Sequence, residues 1–416
     1  MTTTINNEHK KLNAPNLRFP EFQGEWEEHK LEDITAEIGD GIHATPVYDD
    51  NGTFYFVNGN NISEYGITIT ATTQKVTEEE ALKNNASALN SNSILLSING
   101  TIGNVALYKN EPIMLGKSAC YINVSSNANR NYIFYYLMMP KCQFYFISEL
   151  TGTTIKNLSL KSVRKTKVLL PNAKEQNKIA RLFDVINERI ATQSKVIDKL
   201  QSLIKGIGDE LLYNKTWAKV YLKDIFAFYS TNSLSWDKLS DENESGIRNL
   251  HYGMIHNLNS TILDIKTMPF IKTGYIPQKY ELCQYGDIAF ADASEDTDEI
   301  AKAVEFRKIS NEEQAVCGLH TIHGRDIHDM TVVGFKGYAL NANYFHQQIK
   351  RMAQGTKVFS ITASNISNCF VFLPSKDEQK KVVGILDAIS LKIQVETEVL
   401  NSYKIQKQYL LRQMFI

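Results

Sequence analysis

From Pro171 to Tyr213, apolar residues recur at alternating steps of four and three. They are Ile179, Phe183, Ile186 and Ile190, then polar Gln193, then Ile197, Leu200, Ile204, Ile207 and Leu211. A 3.5-residue period held for about five heptads predicts a long helix with a narrow apolar seam, the kind along which two helices zip. No proline follows Pro171 in this stretch and no glycine precedes Gly206. At about 1.5 Å of rise per residue the helix would run roughly 60 Å. A single helix cannot bury its own stripe, so a partner is required.

The pattern returns 203 residues later, from Pro374 to Ile416. Its positions are Val382, Leu386, Ile389, Ile393, polar Glu396, Leu400, Tyr403, Lys407, Leu410 and Met414. Pro171/Pro374, Glu175/Glu378, Gln176/Gln379 and Asp184/Asp387 recur at that same interval. Internal repetition is therefore the first fact a fold must satisfy.

The rest of the chain is repeated too. Trp26, Leu31, Asp33 and Ile34 stand 191 residues before Trp217, Leu222, Asp224 and Ile225, and GTTIKNLSLKSVRKTKVLLP (152–171) matches GTKVFSITASNISNCFVFLP (355–374). Between entry and exit, β-rich runs (TFYFVNG, SILLSING, YINVSS; GDIAFAD, TVVGFKGYAL) alternate with short helical ones. The layout is a polar tail at 1–16, a domain at 17–170, a long helix at 171–215, a domain at 216–373 and a second long helix at 374–416. The fold class is α+β: two mixed α/β domains, mostly antiparallel, separated by two long helices that pair as an antiparallel coiled coil, in a pseudo-twofold repeat. The strands are not followed by regular helices, which argues against a doubly wound nucleotide fold.

Composition narrows the setting. With 416 residues the chain has room for two or three domains. No apolar run approaches membrane-spanning length and the start lacks a secretory h-region. Five scattered cysteines suit reduced thiols in a cytoplasm better than a disulfide frame or a zinc finger. A net charge of −1 excludes an overtly basic nucleic-acid binder, so any DNA contact would rest on local patches or be shared with a partner protein.

A search for catalysis finds no Walker-type phosphate loop, no helix-opening GxGxxG, no methyl-transfer Asn-Pro-Pro-Tyr and no nuclease carboxylate pair. Gly206 and Gly208 fall inside the long helix, where they mark close packing or a fraying end. Cys317, His320 and His323 fit no zinc spacing closely and read as structural, so no metal site is expected. The acidic run Glu295, Asp296, Asp298, Glu299 lacks the glycine of a calcium loop and reads as a solvated turn. The aromatic run Phe134–Phe146 reads as core helix rather than base-stacking platform.

Signals of nucleic-acid contact are stronger. Lys156, Lys161, Arg164, Lys165 and Lys167 lie within 152–170 with no acid among them, a density suited to duplex phosphates. FVNGNNIS (56–63) and IRNLHYGMIH (247–256) offer side chains able to make directional hydrogen bonds to base edges. Beside them lie GDGIHATP (39–46) and SINGTIGN (97–104), whose glycines would permit close backbone approach.

This layout resembles the DNA-specificity subunit of type I restriction–modification systems. The resemblance covers nearly the whole chain and is carried by LPNAKEQNKIA and LPSKDEQKKVV, WEEHKLEDI, DGIHATP, SINGTIG and RNLHYGMIH. It implies a non-catalytic subunit whose two target-recognition domains each read one half of a split site on double-stranded DNA. The helices would set the gap between half-sites and help dock two modification (methyltransferase) subunits, with restriction subunits adding translocation and cleavage. S-adenosylmethionine, ATP and magnesium would then be bound by those partners and none by this chain. Expected DNA-contacting residues are Asn99, Thr101, Lys156, Asn157, Lys161 and Lys165 in the first domain, and Arg248, Asn249, His251, Tyr252 and Lys357 in the second. The second domain lacks the S-x-x-G-T-x-G pattern at GDIAFADASEDTDEIAKAV (286–304). Rival readings are a single-chain DNA methyltransferase or nuclease fragment and a coiled-coil adaptor that does not bind DNA.

Overall fold

The computed structural model describes residues 13–84, 86–152, 156–258, 260–310 and 312–416. The chain forms two compact units, Met1–Gln193 with Val399–Ile416, and Ser194–Glu398. The division falls inside both long helices, beside the polar breaks at Gln193 and Glu396.

In the first unit the main sheet has strands in the order Thr35–Asp40, Ala119–Val124, Ser93–Ser97 and Val105–Leu107, all antiparallel. In the second unit the order is Phe226–Tyr229, Thr321–Asp326, Ile288–Ala291 and Ala303–Lys308, again antiparallel, with Ile262–Asp264 added in parallel at the edge. Each unit also has a smaller sheet that ends in a parallel pair: Phe54–Val57 with Ile113–Leu115, and Ile247–Leu250 with Gln314–Cys317.

The repeated entry and exit motifs close each domain at its base. Glu27–Lys30 pairs with Lys167–Leu170, and Ala218–Tyr221 with Phe370–Leu373, so Glu27 faces Leu170 and Ala218 faces Leu373. Leu31 and Ile34, and their counterparts Leu222 and Ile225, are buried behind these pairs. The strand pair brings the chain out at Pro171 or Pro374, where it turns into a long helix.

The helices run Ala173–Leu212 and Lys376–Gln413. In the first unit Ile179, Ala180 and Phe183 share one core with Trp26, Tyr132, Leu411, Met414 and Phe415. The Phe183 ring lies 4.9 Å from Tyr135 and 5.6 Å from Phe415. In the second unit Val382, Val383 and Leu386 share a core with Leu212, Phe335 and Tyr338, and Ile204, Ile207 and Leu211 pack against it. Each unit thus sets the early part of one long helix beside the late part of the other, the antiparallel sense. Ile186, Ile190 and Ile197 are buried, and Leu200, Ile389, Ile393 and Leu400 are half-buried. Gly208 is buried against Leu386, whereas Gly206 faces open space.

The paired Gln176 and Gln379 explain why each helix starts where it does. Gln176 donates from Nε2 to the Pro171 carbonyl (2.8 Å) and accepts the Asn129 N–H (2.9 Å). Gln379 donates to the Pro374 and Met330 carbonyls (both 3.1 Å) and accepts the Val332 N–H (2.7 Å). Each glutamine is buried and satisfies backbone groups that the chain's turn would otherwise strand.

A second repeated device ties helix to domain. Asp184 accepts the Tyr135 hydroxyl at 2.8 Å and Asp387 accepts the Tyr338 hydroxyl at 2.8 Å. Asn187 donates to Tyr135 (2.9 Å), and Ser390 lies 3.0 Å from Tyr338. All three positions recur at the 203-residue interval.

Aromatic-rich Arg130–Met138 is the expected core helix, with Tyr132 to Leu137 buried; the next helix, Pro140–Ser148, leaves Phe144 and Ile147 exposed.

Candidate nucleic-acid interface

Hydrogen-bond registers align the loops of the two domains. Ser97 N–H donates to Asn104 O and Gly103 N–H to Ser97 O; in the second domain Ala291 N–H donates to Lys302 O and Ala301 N–H to Ala291 O. Ile98 N–H reaches Ser118 O as Asp292 N–H reaches His320 O. Leu158 N–H reaches Ile98 O as Ile361 N–H reaches Asp292 O. Gly116 N–H reaches Val57 O as Gly318 N–H reaches Leu250 O. Four segments therefore converge at one end of each domain: 58–63, 98–104, 116–118 and 156–158 in the first, and 251–257, 292–302, 318–320 and 359–361 in the second.

In the first domain this convergence gathers four of the expected contact residues. Asn99 forms a bridge with Asn157, beside exposed Lys156. Thr101 Oγ1 donates to the Gly59 carbonyl at 2.8 Å and lies 3.2 Å from Ser97 Oγ. Gly59 is pinned by Ser118, whose Oγ accepts its N–H at 2.8 Å and donates to Asn58 at 2.9 Å. A Cβ on Gly59 would sit 2.2 Å from Ser97 Oγ and 2.9 Å from the carbonyls of Asn99 and Ser118, so only glycine lets these loops meet. Lys161 and Lys165 lie apart from this cluster, exposed on and after the short helix Leu160–Arg164. Lys156, Lys161 and Lys165 form no ion pair among the described residues. Arg164 and Lys167 are committed internally, to the Ile38 carbonyl (2.7 Å) and Glu28 (2.8 Å).

The second domain departs from expectation. Asn249 is fully buried, accepts from Asn232 Nδ2 at 2.7 Å and reaches no surface. It faces inward because alternate residues of a strand point to opposite faces. Arg248 is half-buried, with its guanidinium on the Met268 carbonyl and 4.0 Å over the Phe270 ring. Its charge is spent bracing the small sheet. His251 is also buried; its Nδ1 accepts the Gly253 N–H at 3.2 Å and caps the helix Tyr252–Asn257. Tyr252 is half-buried, and Lys357 is exposed in the turn before Phe359–Ser360.

What this domain presents is an aromatic and imidazole ribbon. The Trp236 ring, 52% exposed, lies 4.4 Å from His251; His251 lies 4.7 Å from Tyr252; and Tyr252 meets His320 at 5.2 Å and His256 at 5.8 Å. Trp236 lies in a weakly patterned segment, and the sequence marks His320 only as a neighbour of Cys317 and His323. His320 instead sits at φ 55° with Nδ1 3.0 Å from Asp292. In the first domain Lys117 is exposed between Gly116 and Ser118, outside the basic run of 152–170. The missing S-x-x-G-T-x-G pattern corresponds to a longer loop, in which Ala301 takes φ 56° where the first domain has Gly103 at φ 89°. Of its acids, Asp298 pairs with Lys350, and Glu299 with Lys302 at 2.9 Å.

The architecture is one of two α/β domains with duplicated loop clusters, each built onto a long helix. A family model described as "Type I restriction modification DNA specificity domain" matches residues 23–202. The chain is 23% identical over 400 residues to the type I restriction enzyme MjaVIII specificity subunit of Methanocaldococcus jannaschii, across 91% of this chain and 89% of that one. The fold is similar to a type I restriction-modification S subunit from M. genitalium (TM-score 0.56, 17% identity, 97% of this chain and 99% of that one). It is also similar to a chain solved in work on complex assembly and conformational transition of the type I R-M system (TM-score 0.55, 15% identity, 94% and 97%). Residues 23–202 therefore match the type I restriction–modification DNA specificity domain family, and the whole chain shares the fold of the solved S subunits.

Proposed function

We propose that this chain supplies the address for a type I restriction–modification complex, each domain reading one half of a split target on double-stranded DNA. The observation that carries this is the duplicated convergence of four loops. Two similar but non-identical loop clusters suit two unlike half-sites, and half-sites one helical turn or a multiple apart are the natural spacing for such a reader. In the first domain Asn99, Thr101 and Asn157 would meet base edges, with Lys156, Lys161 and Lys165 on phosphates. In the second, Trp236, Tyr252 and His320 would do the reading and Lys357 would meet the backbone.

The chain contributes recognition rather than reaction. Two modification subunits would dock on it and bring S-adenosylmethionine, and restriction subunits would bring ATP, magnesium and cleavage. A near-neutral chain fits this division, since the partners then share the phosphate contacts. No described helix is long and apolar enough to cross a membrane, and the complex would act in the cytoplasm.

The test is genome-wide mapping of methylated sites in cells expressing this chain with its modification subunit. A split motif is expected, and replacing residues 17–170 with those of another family member should change one half only. A continuous motif, or a change in both halves, would overturn the reading. An adaptor would bind specific and random duplexes equally at every salt concentration.

A further inference from the structure

We propose that Cys283, Cys317 and His323 bind one zinc ion within the second recognition domain. The two sulfurs and a His323 ring nitrogen lie within 4.8 Å of one another, and all three residues are buried. The sulfurs are 3.6 Å apart. Two sulfurs each about 2.3 Å from one tetrahedral ion would be about 3.8 Å apart, so the pair is close to the spacing zinc needs. A disulfide would require them to close to about 2.05 Å.

The histidine is set up as a ligand. Its Nε2 lies 2.7 Å from Asp287 Oδ2, while Nδ1 is buried with no hydrogen-bond partner among the described residues. Asp287 is held in turn by Arg325 (2.9 and 3.0 Å) and by the Gln284 N–H (2.8 Å). A braced carboxylate that accepts Nε2–H leaves a lone pair on Nδ1, the arrangement that orients and strengthens metal-binding imidazoles. A buried nitrogen with no partner is costly, and an ion beside it would remove that cost. Two thiolates and an imidazole favour zinc and leave a fourth position for water. On binding, each thiol gives up its proton to solvent.

The duplication sharpens the point. By strand register Cys317 corresponds to Leu115 and His323 to Tyr121, and the first domain fills this place with an apolar cluster. The second domain has replaced that packing with ligand-bearing side chains. Cys283 N–H donates to the Ala315 carbonyl in the small sheet (2.8 Å), while His323 belongs to the main sheet. The ion would clamp the two sheets together at the root of the loop that carries His320.

The experiment is elemental analysis of the full chain, purified without a polyhistidine tag and dialysed after exposure to zinc. One zinc per chain is expected, lost in the Cys283→Ala/Cys317→Ala double variant. Cobalt(II) should give a thiolate charge-transfer band in the intact chain and none in the double variant. Because the double variant removes two buried side chains from the core, Asp287→Asn gives an independent reading: zinc affinity, measured by chelator competition, should fall about 10- to 100-fold. Failure of the intact chain to retain zinc, unchanged zinc in the double variant, unchanged affinity in Asp287→Asn, or an intact mass showing a Cys283–Cys317 disulfide would each overturn the proposal.

Discussion

At the start of the first long helix Glu175 is fully buried and bonded through both carboxylate oxygens to Arg18, at 2.7 and 2.8 Å. Glu378, its counterpart 203 residues on, is exposed and among the described residues meets only Ser375, at 3.5 Å. The neighbouring glutamines do not diverge in this way: Gln176 and Gln379 make the same kind of bonds to backbone on both sides of the turn. Glutamine answers backbone groups, which the repeat reproduces in each copy. Glu175 answers a side chain from the segment before Trp26, and the second domain has no such segment. The residues before Trp217 are the end of the first long helix itself. Shared identity therefore marks shared role only where the partner is repeated as well.

The comparison can be tested first at the seam, where the largest effects lie. Phe183 and Leu386 occupy equivalent, fully buried positions. Truncating a buried aromatic or leucine removes its transfer energy and leaves a cavity. Phe183→Ala should cost about 4 kcal/mol and Leu386→Ala about 3 kcal/mol, read by urea unfolding. Hydrogen exchange should place the first loss in the first unit and the second in the other. A loss below about 1 kcal/mol at either position would remove it from the core.

Much of this architecture was legible in the sequence because its signals are periodic. The 3.5-residue seam, the prolines and the entry and exit motifs each recur at a fixed interval, and the structure pairs those very segments. The residues proposed to read DNA were only partly legible. Asn99 and Asn157 are 58 residues apart, yet they meet because Leu158 N–H reaches Ile98 O, a register no local pattern encodes. Arg248 and Asn249 looked suited to DNA by residue type, but strand alternation and a nearby phenylalanine turned them inward. Cys283 was invisible as a partner of Cys317 for the same reason: 34 residues separate them and a sheet edge joins them.

Next in size are effects confined to one copy. Gly59→Ala should force the 97–104 and 116–118 loops apart, costing about 2 kcal/mol as an overpacked site. Recognition of the first half-site should fail while the second half is read normally, as methylation of DNA altered in one half would report. Loss of both halves would mean that the loop clusters are not independent. Asp387 offers a comparison through pH. Burial alone would raise its carboxyl, but bonds from Arg307 (2.8 and 2.6 Å) and Tyr338 override that and hold it below the usual range. A carboxyl depressed in the fold contributes stability above its unfolded pKa, about 3.9, and loses it as pH falls through the folded value. Asp387→Asn should therefore cost about 2 kcal/mol at neutral pH, and its stability should decline less than the parent's below about pH 4. Parallel acid profiles would remove the pair from the account.

The smallest effect separates phosphate contact from base reading. Lys156, Lys161 and Lys165 lie in the first domain, whereas Lys357 lies in the turn of the second; all four are exposed. A lysine that meets a phosphate displaces a counterion, so its loss weakens binding to every sequence alike and flattens the salt dependence. Each of Lys161→Ala and Lys165→Ala should reduce the slope of log affinity against log salt by about 0.9, with the preferred sequence unchanged. Lys156 lies beside Asn157, which bridges Asn99, so Lys156→Ala should show the same slope change together with a shift in preference at one base pair. If Lys161→Ala or Lys165→Ala altered the preferred sequence, the reading edge would extend from the converged loops onto the helix Leu160–Arg164. If none of the three changed the slope, the duplex would approach the first domain from another side.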